Sequence, residues 1–300
     1  MRPRIPITER LRFRKPETTH YGLSGDFYLT ILVPTTSLPA PNEVCQPKGL
    51  YGAVAAFLAP LSKDAPKDSL EKPMTRGPYA VASLDQKSML RMLVMPKEEA
   101  GFEPRGFLES DFADGFSDEL RNRVAATWHL VQLSAASHDP KVTPTLFLMT
   151  DVAVRLAEKV GGVIADPMSH AYFLPEELKL NRDIKPFDVR QFVTVHTAGE
   201  LVFTQGMIKF ELPEMEITGV PEAMHPTAGK FLLSVAQSVF QRTALEPGDK
   251  LGNQSAPFQV AHGGLDRARW EGIPCLELIP APGKTVSDCL ASFASSPEVR

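Results

Sequence analysis

Three cysteines in 300 residues, Cys45, Cys275 and Cys289, are odd in number and scattered along the chain. A disulfide framework is therefore not expected, no pair has zinc spacing, and a reducing compartment suits such usage. Long apolar runs are also missing. The longest, Gly52 to Leu61, contains Pro60 and falls well short of the ~20 residues a helix needs to cross a bilayer. No signal-peptide-like apolar stretch follows Met1. These absences make the cytoplasm the expected location and exclude a membrane partner. Charge of one sign is scarce too. The formal net charge is -4, so no global field draws the chain to nucleic acid. No internal repeat of convincing length occurs.

Complete catalytic motifs are lacking as well. Pro282-Gly283-Lys284-Thr285 resembles the end of a phosphate loop, but Leu278 stands where the first glycine of the backbone cradle belongs. Gly22-Leu23-Ser24-Gly25 misses the glycine two after the serine that a nucleophile elbow needs. Asp111 to Gly115 imitates a calcium loop, with Ser110 and Phe112 at ligand positions. Neither a His-Glu-x-x-His motif nor a resident metal or cofactor is expected.

What is present is a legible core. Hydrophobic residues make up 43% of the chain, and 27 prolines are spread through it, which implies short elements and many turns. Asp26 to Val33 reads as a strand. Leu50, Val54, Phe57 and Leu58 read as a helix ended by Pro60. Tyr79–Leu84 and Met89–Met95 read as a hairpin. Lys97 to Asp114, acidic and glycine-broken, is the expected internal boundary. Ser117 to Ala126 is a helix with Asp118 and Glu119 in its first turn, and Trp128 to Ala135 a strand. Thr143 and Pro144 open a helix with the stripe Leu146, Met149, Ala153, Leu156 and Val160, ended by Gly161-Gly162. Short strands then flank Asp166-Pro167, at a spacing compatible with a parallel crossover.

From Phe192 to Thr197 the residues alternate, as a half-buried strand does. Ala198-Gly199-Glu200 turns the chain into a second strand, Leu201 to Phe210, where Gly206 suggests a bulge or a close backbone approach. Glu214 to Thr218 is expected as a short edge strand. Ala228, Phe231, Leu232, Val235 and Val239 form one helical stripe. Phe258–Ala261 and Ile273–Ile279 are further strands, and Ser287 to Arg300 a tail. The expected class is α+β, with mixed or antiparallel sheets covered by two long amphipathic helices. The expected order is a basic arm (1–24), an N-terminal α+β lobe (25–115), a core (116–245) and C-terminal strands with a tail (246–300).

The string GMIKFELPEMEITGVP, followed by a helix with Val235-Ala236-Gln237, resembles the signature of an uncharacterised bacterial domain family that carries a Gly-Met/Leu-x-Lys-Phe-Gly-x-Pro-Glu-Leu-Glu segment. LAEKVGGVIADPMSHAYFLPEEL is similar to that family's helix, Gly-Gly turn, strand and Pro-Glu-Glu ending. The likeness spans roughly Ala125 to Phe240, and Glu211 stands where the family more often has glycine. The resemblance implies the fold and no activity.

The candidate site residues are His196, Lys209, Glu214 and Glu216. Glu214 and Glu216 share one face of a strand, with Lys209 close in sequence, and paired carboxylates can serve as acid and base. Glutamates on an edge strand also guard against edge-to-edge pairing, and that reading is preferred. A metal or base site could combine His129 and His196 on neighbouring strands with Asp166 or His170 nearby, although a strand histidine is more often structural. Cys275 reads as a core residue, and Ala261 to Asp266 as a glycine-rich loop or a plain turn. The leading expectation is a binding or assembly module for a protein partner or small molecule. The alternatives are a hydrolytic or acid–base enzyme built on the Glu/Lys/His set, and nucleic-acid binding through the arm Met1 to Lys15.

Overall fold

A computed structural model of the chain describes residues 21–45, 57–60, 70–83, 87–137, 142–178, 188–241, 244–264 and 268–295. The basic arm Met1 to Lys15 lies outside them.

Strand β1 (Tyr28–Val33) is apolar along its length and buried at five of its six positions, as a central strand requires. A short helix α1 (Pro41–Val44) follows, then β2 (Phe57–Pro60), β3 (Gly77–Ala82) and β4 (Met89–Pro96). The expected β3–β4 hairpin is present, paired from Gly77 opposite Val94 to Ala82 opposite Met89. The expected helix through Phe57 and Leu58 is not. Those two residues pair with Ala82 and Val81 in β2, because a short apolar run fits either element and sheet pairing decides it. Leu50 and Val54 lie outside the described residues.

Helices α2 (Pro104–Leu108) and α3 (Asp118–Ala125) lead to β5 (His129–Ser137). Ser117 caps α3, its hydroxyl accepting from the Leu120 amide at 3.2 Å. Helix α4 (Val142–Val160) takes in Thr143 and Pro144 and buries all five stripe residues. Gly161 (φ +67) ends it in the left-handed region. Strands β6 (Val163–Asp166) and β7 (Ala171–Phe173) complete a seven-stranded sheet ordered β2-β3-β4-β5-β1-β6-β7, antiparallel throughout. β5 and β6 both run antiparallel to β1, hence parallel to each other, and α4 crosses over the strand between them. Lys97–Asp114 joins β4 to β5, which are hydrogen-bonded neighbours, so strands from both sides of that stretch share one sheet.

The second sheet comprises β8 (Thr194–Ala198), β9 (Leu201–Gln205), β10 (Glu214–Ile217), β11 (Lys250–Leu251), β12 (Phe258–His262) and β13 (Cys275–Pro280), in the order β11-β12-β13-β10-β9-β8. Only β10 and β13 pair in parallel. The β8–β9 turn sits at Gly199 (φ +59), with His196 opposite Phe203. Two expectations are corrected here. The second strand stops at Gln205 and gives way to a 3-10 turn, Met207–Phe210. β10 is no edge strand: it lies between β9 and β13, with all four residues buried.

Helix α5 (His225–Gln241) lies on β8 and β9 and buries Ala228, Phe231, Leu232, Val235 and Val239. Each large apolar side chain so buried stabilises the fold by roughly 1.5–3 kcal/mol. The expected tail is instead a helix, α6 (Val286–Ala294), because Thr285 and Asp288 form a capping box across its N-terminus. One apolar core runs from the α4 side of the first sheet to the α5 side of the second. The architecture is α+β. No helix among the described residues is long and apolar enough to cross a membrane.

Candidate functional site

Two of the four sequence candidates, Lys209 and Glu214, lie at the turn between β9 and β10. Gly206 opens that turn at φ +113, and a side chain there would strike the Phe192 carbonyl at 2.4 Å and Lys209 Cε at 3.0 Å. Glycine is required on both counts, and it fulfils the close approach expected at that position. Glu211 closes the turn at φ +58, a left-handed conformation that glycine adopts without cost. An N-terminal segment clamps the turn from outside: the Gly22 amide donates to the Phe210 carbonyl at 3.2 Å, and the Ser24 amide to Lys209 O at 2.7 Å.

Inside the turn, Lys209 is fully buried. Its Nζ donates to Asp166 Oδ2 in an ion pair. The ammonium also lies 5.3 Å from the Phe27 ring centre and 5.8 Å from that of Phe192. Burial pushes the lysine below its ordinary range, opposed by Asp166 first and Glu214 second. Glu214 is buried as well. Its Oε2 accepts from Thr204 Oγ1 at 2.8 Å, and its Oε1 from the amides of Gly206 at 2.7 Å and Ile208 at 3.2 Å. Burial raises the Glu214 carboxyl to about 7, held back by those donors and by Lys209. Glu216, two residues on, accepts from Trp270 Nε1 at 2.6 Å on a face shared with Phe203 and Cys275. These glutamates are therefore interior anchors, which corrects the edge-guarding role expected of them.

His196 stands apart. It is half-buried on β8, its Nε2 2.8 Å from Thr194 Oγ1 and 3.3 Å from the Ser169 carbonyl. It reaches the cluster only through the Asp166–Ser169 turn, where the Ser169 amide donates to Asp166 Oδ1 at 3.3 Å. His129 is on β5, in the other sheet, with Nδ1 3.2 Å from the Thr35 carbonyl, so the expected pairing of His129 with His196 on neighbouring strands does not occur. Cys275 is buried, and burial raises its thiol far above the usual range. This leaves no thiolate for nucleophilic chemistry.

Lys209, Asp166 and Glu214 thus come together, yet away from solvent and with their polar atoms turned on one another. A substrate would have to displace those internal bonds to reach them. A cleft of about 400 Å3 lies elsewhere, between the β1–α1 loop and the end of α4, lined by Thr35, Leu38, Glu43, Glu71 and Lys159 among others. None of the four candidates borders it. Sequence reasoning did not foresee Trp270 or Thr204 as partners, since nothing in a single indole or threonine announces which carboxylate it meets. Asp166 carried a signal: an acidic residue ending an apolar strand before proline.

No protein-family model, curated protein or solved structure matches the chain. The α+β class therefore rests on the architecture alone.

Proposed function

We propose that the chain is a bacterial, cytoplasmic binding or assembly module, in which the Lys209–Asp166–Glu214 cluster is scaffold. One observation carries this reading: Lys209, Glu214 and Glu216 are buried and bonded internally. Groups shut away from solvent and bonded to internal partners are poorly placed for acid–base work. Three buried free cysteines agree with a reducing compartment. Recognition then falls to the exposed surface, where Phe112 and Trp128 are about half exposed (51% and 50%).

The test compares two classes of variant in quantitative affinity capture of the full chain from its native cells. Phe112→Ser or Trp128→Ser, with the thermal midpoint unchanged, is expected to lose specific partners. The paired replacement Asp166→Leu with Lys209→Met is expected to keep them. Turnover of an ester, phosphoester or peptide substrate that vanishes in the folded Asp166→Leu/Lys209→Met protein would overturn the proposal.

A further inference from the structure

A pair of imidazoles lies beside the buried cluster and takes no part in it. His170 is the last residue of the β6–β7 turn, exposed, and held at φ +51. A non-glycine residue in the left-handed region is uncommon, and such positions concentrate at functional sites. The His170 ring packs edge-on against Phe112, with centres 4.9 Å apart, and its centre is 5.9 Å from that of His196. The two residues come from edge strands of different sheets, β7's turn and β8, brought together where the sheets adjoin.

The hydrogen bonds around His196 fix its tautomer. The Ser169 carbonyl can only accept, so its 3.3 Å contact with Nε2 makes that nitrogen the donor, while the Thr194 hydroxyl, 2.8 Å from Nε2, has the Ser169 and Gln205 carbonyls as its own acceptors. Nδ1 is then left with its lone pair. A ring nitrogen that donates to a carbonyl while the other keeps a lone pair is the arrangement of metal-bound histidines. The ring separation agrees with this. An ion about 2.0–2.1 Å from a ring nitrogen lies roughly 3.2 Å from the ring centre, so two imidazoles on one ion have centres up to about 6.4 Å apart.

We propose that His170 and His196 form a two-imidazole site for a borderline first-row divalent ion, of the Cu2+, Ni2+ or Zn2+ class, with its remaining positions filled by water. Imidazole selects these ions over Mg2+ and Ca2+, which take oxygen. Among the described residues no set of three metal-ligating side chains occurs, so the site is open and exchangeable rather than a closed structural centre. The surrounding charges favour this over an anion. Burial, then His196, push His170 below its ordinary value against the pull of Asp166. Burial and Arg269 push His196 down against its bond to Ser169 O. Arg269, seated 4.4 Å over the Phe203 ring, is the nearby cation that opposes a metal ion, while Asp166 is committed to Lys209.

The experiment is calorimetric titration of the full chain with NiCl2, CuCl2 and ZnCl2, with MgCl2 as control, and EPR of the Cu2+ form. Expected are one ion per chain, two-nitrogen hyperfine coupling, no Mg2+ binding, and loss of binding as pH falls and the imidazoles protonate. His196→Ala and His170→Asn, the latter keeping a residue that tolerates the left-handed backbone, are each expected to weaken binding by about tenfold or more. Arg269→Ala is expected to tighten it, and His129→Ala to leave it unchanged. Failure of all three ions to bind, equal binding of Mg2+, or unchanged affinity in folded His170→Asn or His196→Ala overturns the site. Weaker binding in folded Arg269→Ala also overturns it, since a neighbouring cation should oppose a metal ion.

Discussion

Removing the buried cation tests the scaffold reading most directly. In Lys209→Met, Asp166 is left as a buried carboxylate with one amide donor, and Glu214 loses the positive charge that holds its carboxyl down. Breaking a buried pair by deleting one partner costs about 3–5 kcal/mol, and Asp166→Leu should cost a similar amount by stranding the ammonium. Removing both partners exchanges two desolvated charges for apolar volume among Phe27 and Phe192. That exchange is often neutral or stabilising by 1–4 kcal/mol. The double variant should therefore be at most about 2 kcal/mol less stable than the parent, a coupling of at least about 4 kcal/mol. The assay is urea unfolding of the four proteins followed by far-UV dichroism, with trimethylamine oxide added equally to all if a single variant is too unstable to show a folded baseline. Additive single and double effects would falsify the coupling. A double variant as unstable as the sum of its parts would mean that Asp166 and Lys209 act through separate partners.

Glu214 makes the fold sensitive to pH. Its folded pKa of about 7 is above the ordinary value of 4.5, so the folded state holds the extra proton between them. The contribution is full below pH 4.5 and is lost as pH rises through 7, about 3 kcal/mol in all. In Glu214→Gln, unfolding midpoints between pH 4.5 and 8 should lose that downward slope; an unchanged slope would assign the titration to another group. At the other end of the turn, Glu211→Gly should stabilise by about 0.5–1 kcal/mol in urea, the left-handed penalty of a non-glycine residue less the extra entropy of unfolded glycine. Destabilisation would show that the glutamate side chain contributes more than its backbone costs.

Elements with a clean period were legible in the sequence. The stripes of α4 and α5, the helix from Ser117, the β3–β4 hairpin and the Gly199 turn all follow from residue type and spacing. What failed depended on partners distant in the chain. Phe57 and Leu58 read as helix until β3 supplied hydrogen bonds. β10 looked like an edge because its alternating glutamates mimic a solvated face, whereas β13, some sixty residues later, covers its far side. Local pattern cannot distinguish a glutamate facing water from one facing a threonine hydroxyl and two amides. For the same reason the site was half legible: Lys209 and Glu214 stand close in sequence, and their burial was invisible.

Burial of charge at this turn is better explained by specificity than by strength. An apolar core residue at position 209 would stabilise as well, but it would demand no particular polar partner. A lysine that must reach Asp166 at the end of β6, while Glu214 takes the Gly206 and Ile208 amides, accepts one. Gly206 keeps its backbone against the Phe192 carbonyl, and Gly22 and Ser24 hold the outer carbonyls. Every shift of the second sheet relative to the first would leave an unpaired charge in apolar surroundings, which costs several kcal/mol. The same junction sets Ser169 against β8 and so brings His170 beside His196. If the double variant stays folded but its sheets lose this single arrangement, the first loss should appear as weakened metal binding at the two imidazoles, ahead of any fall in unfolding free energy.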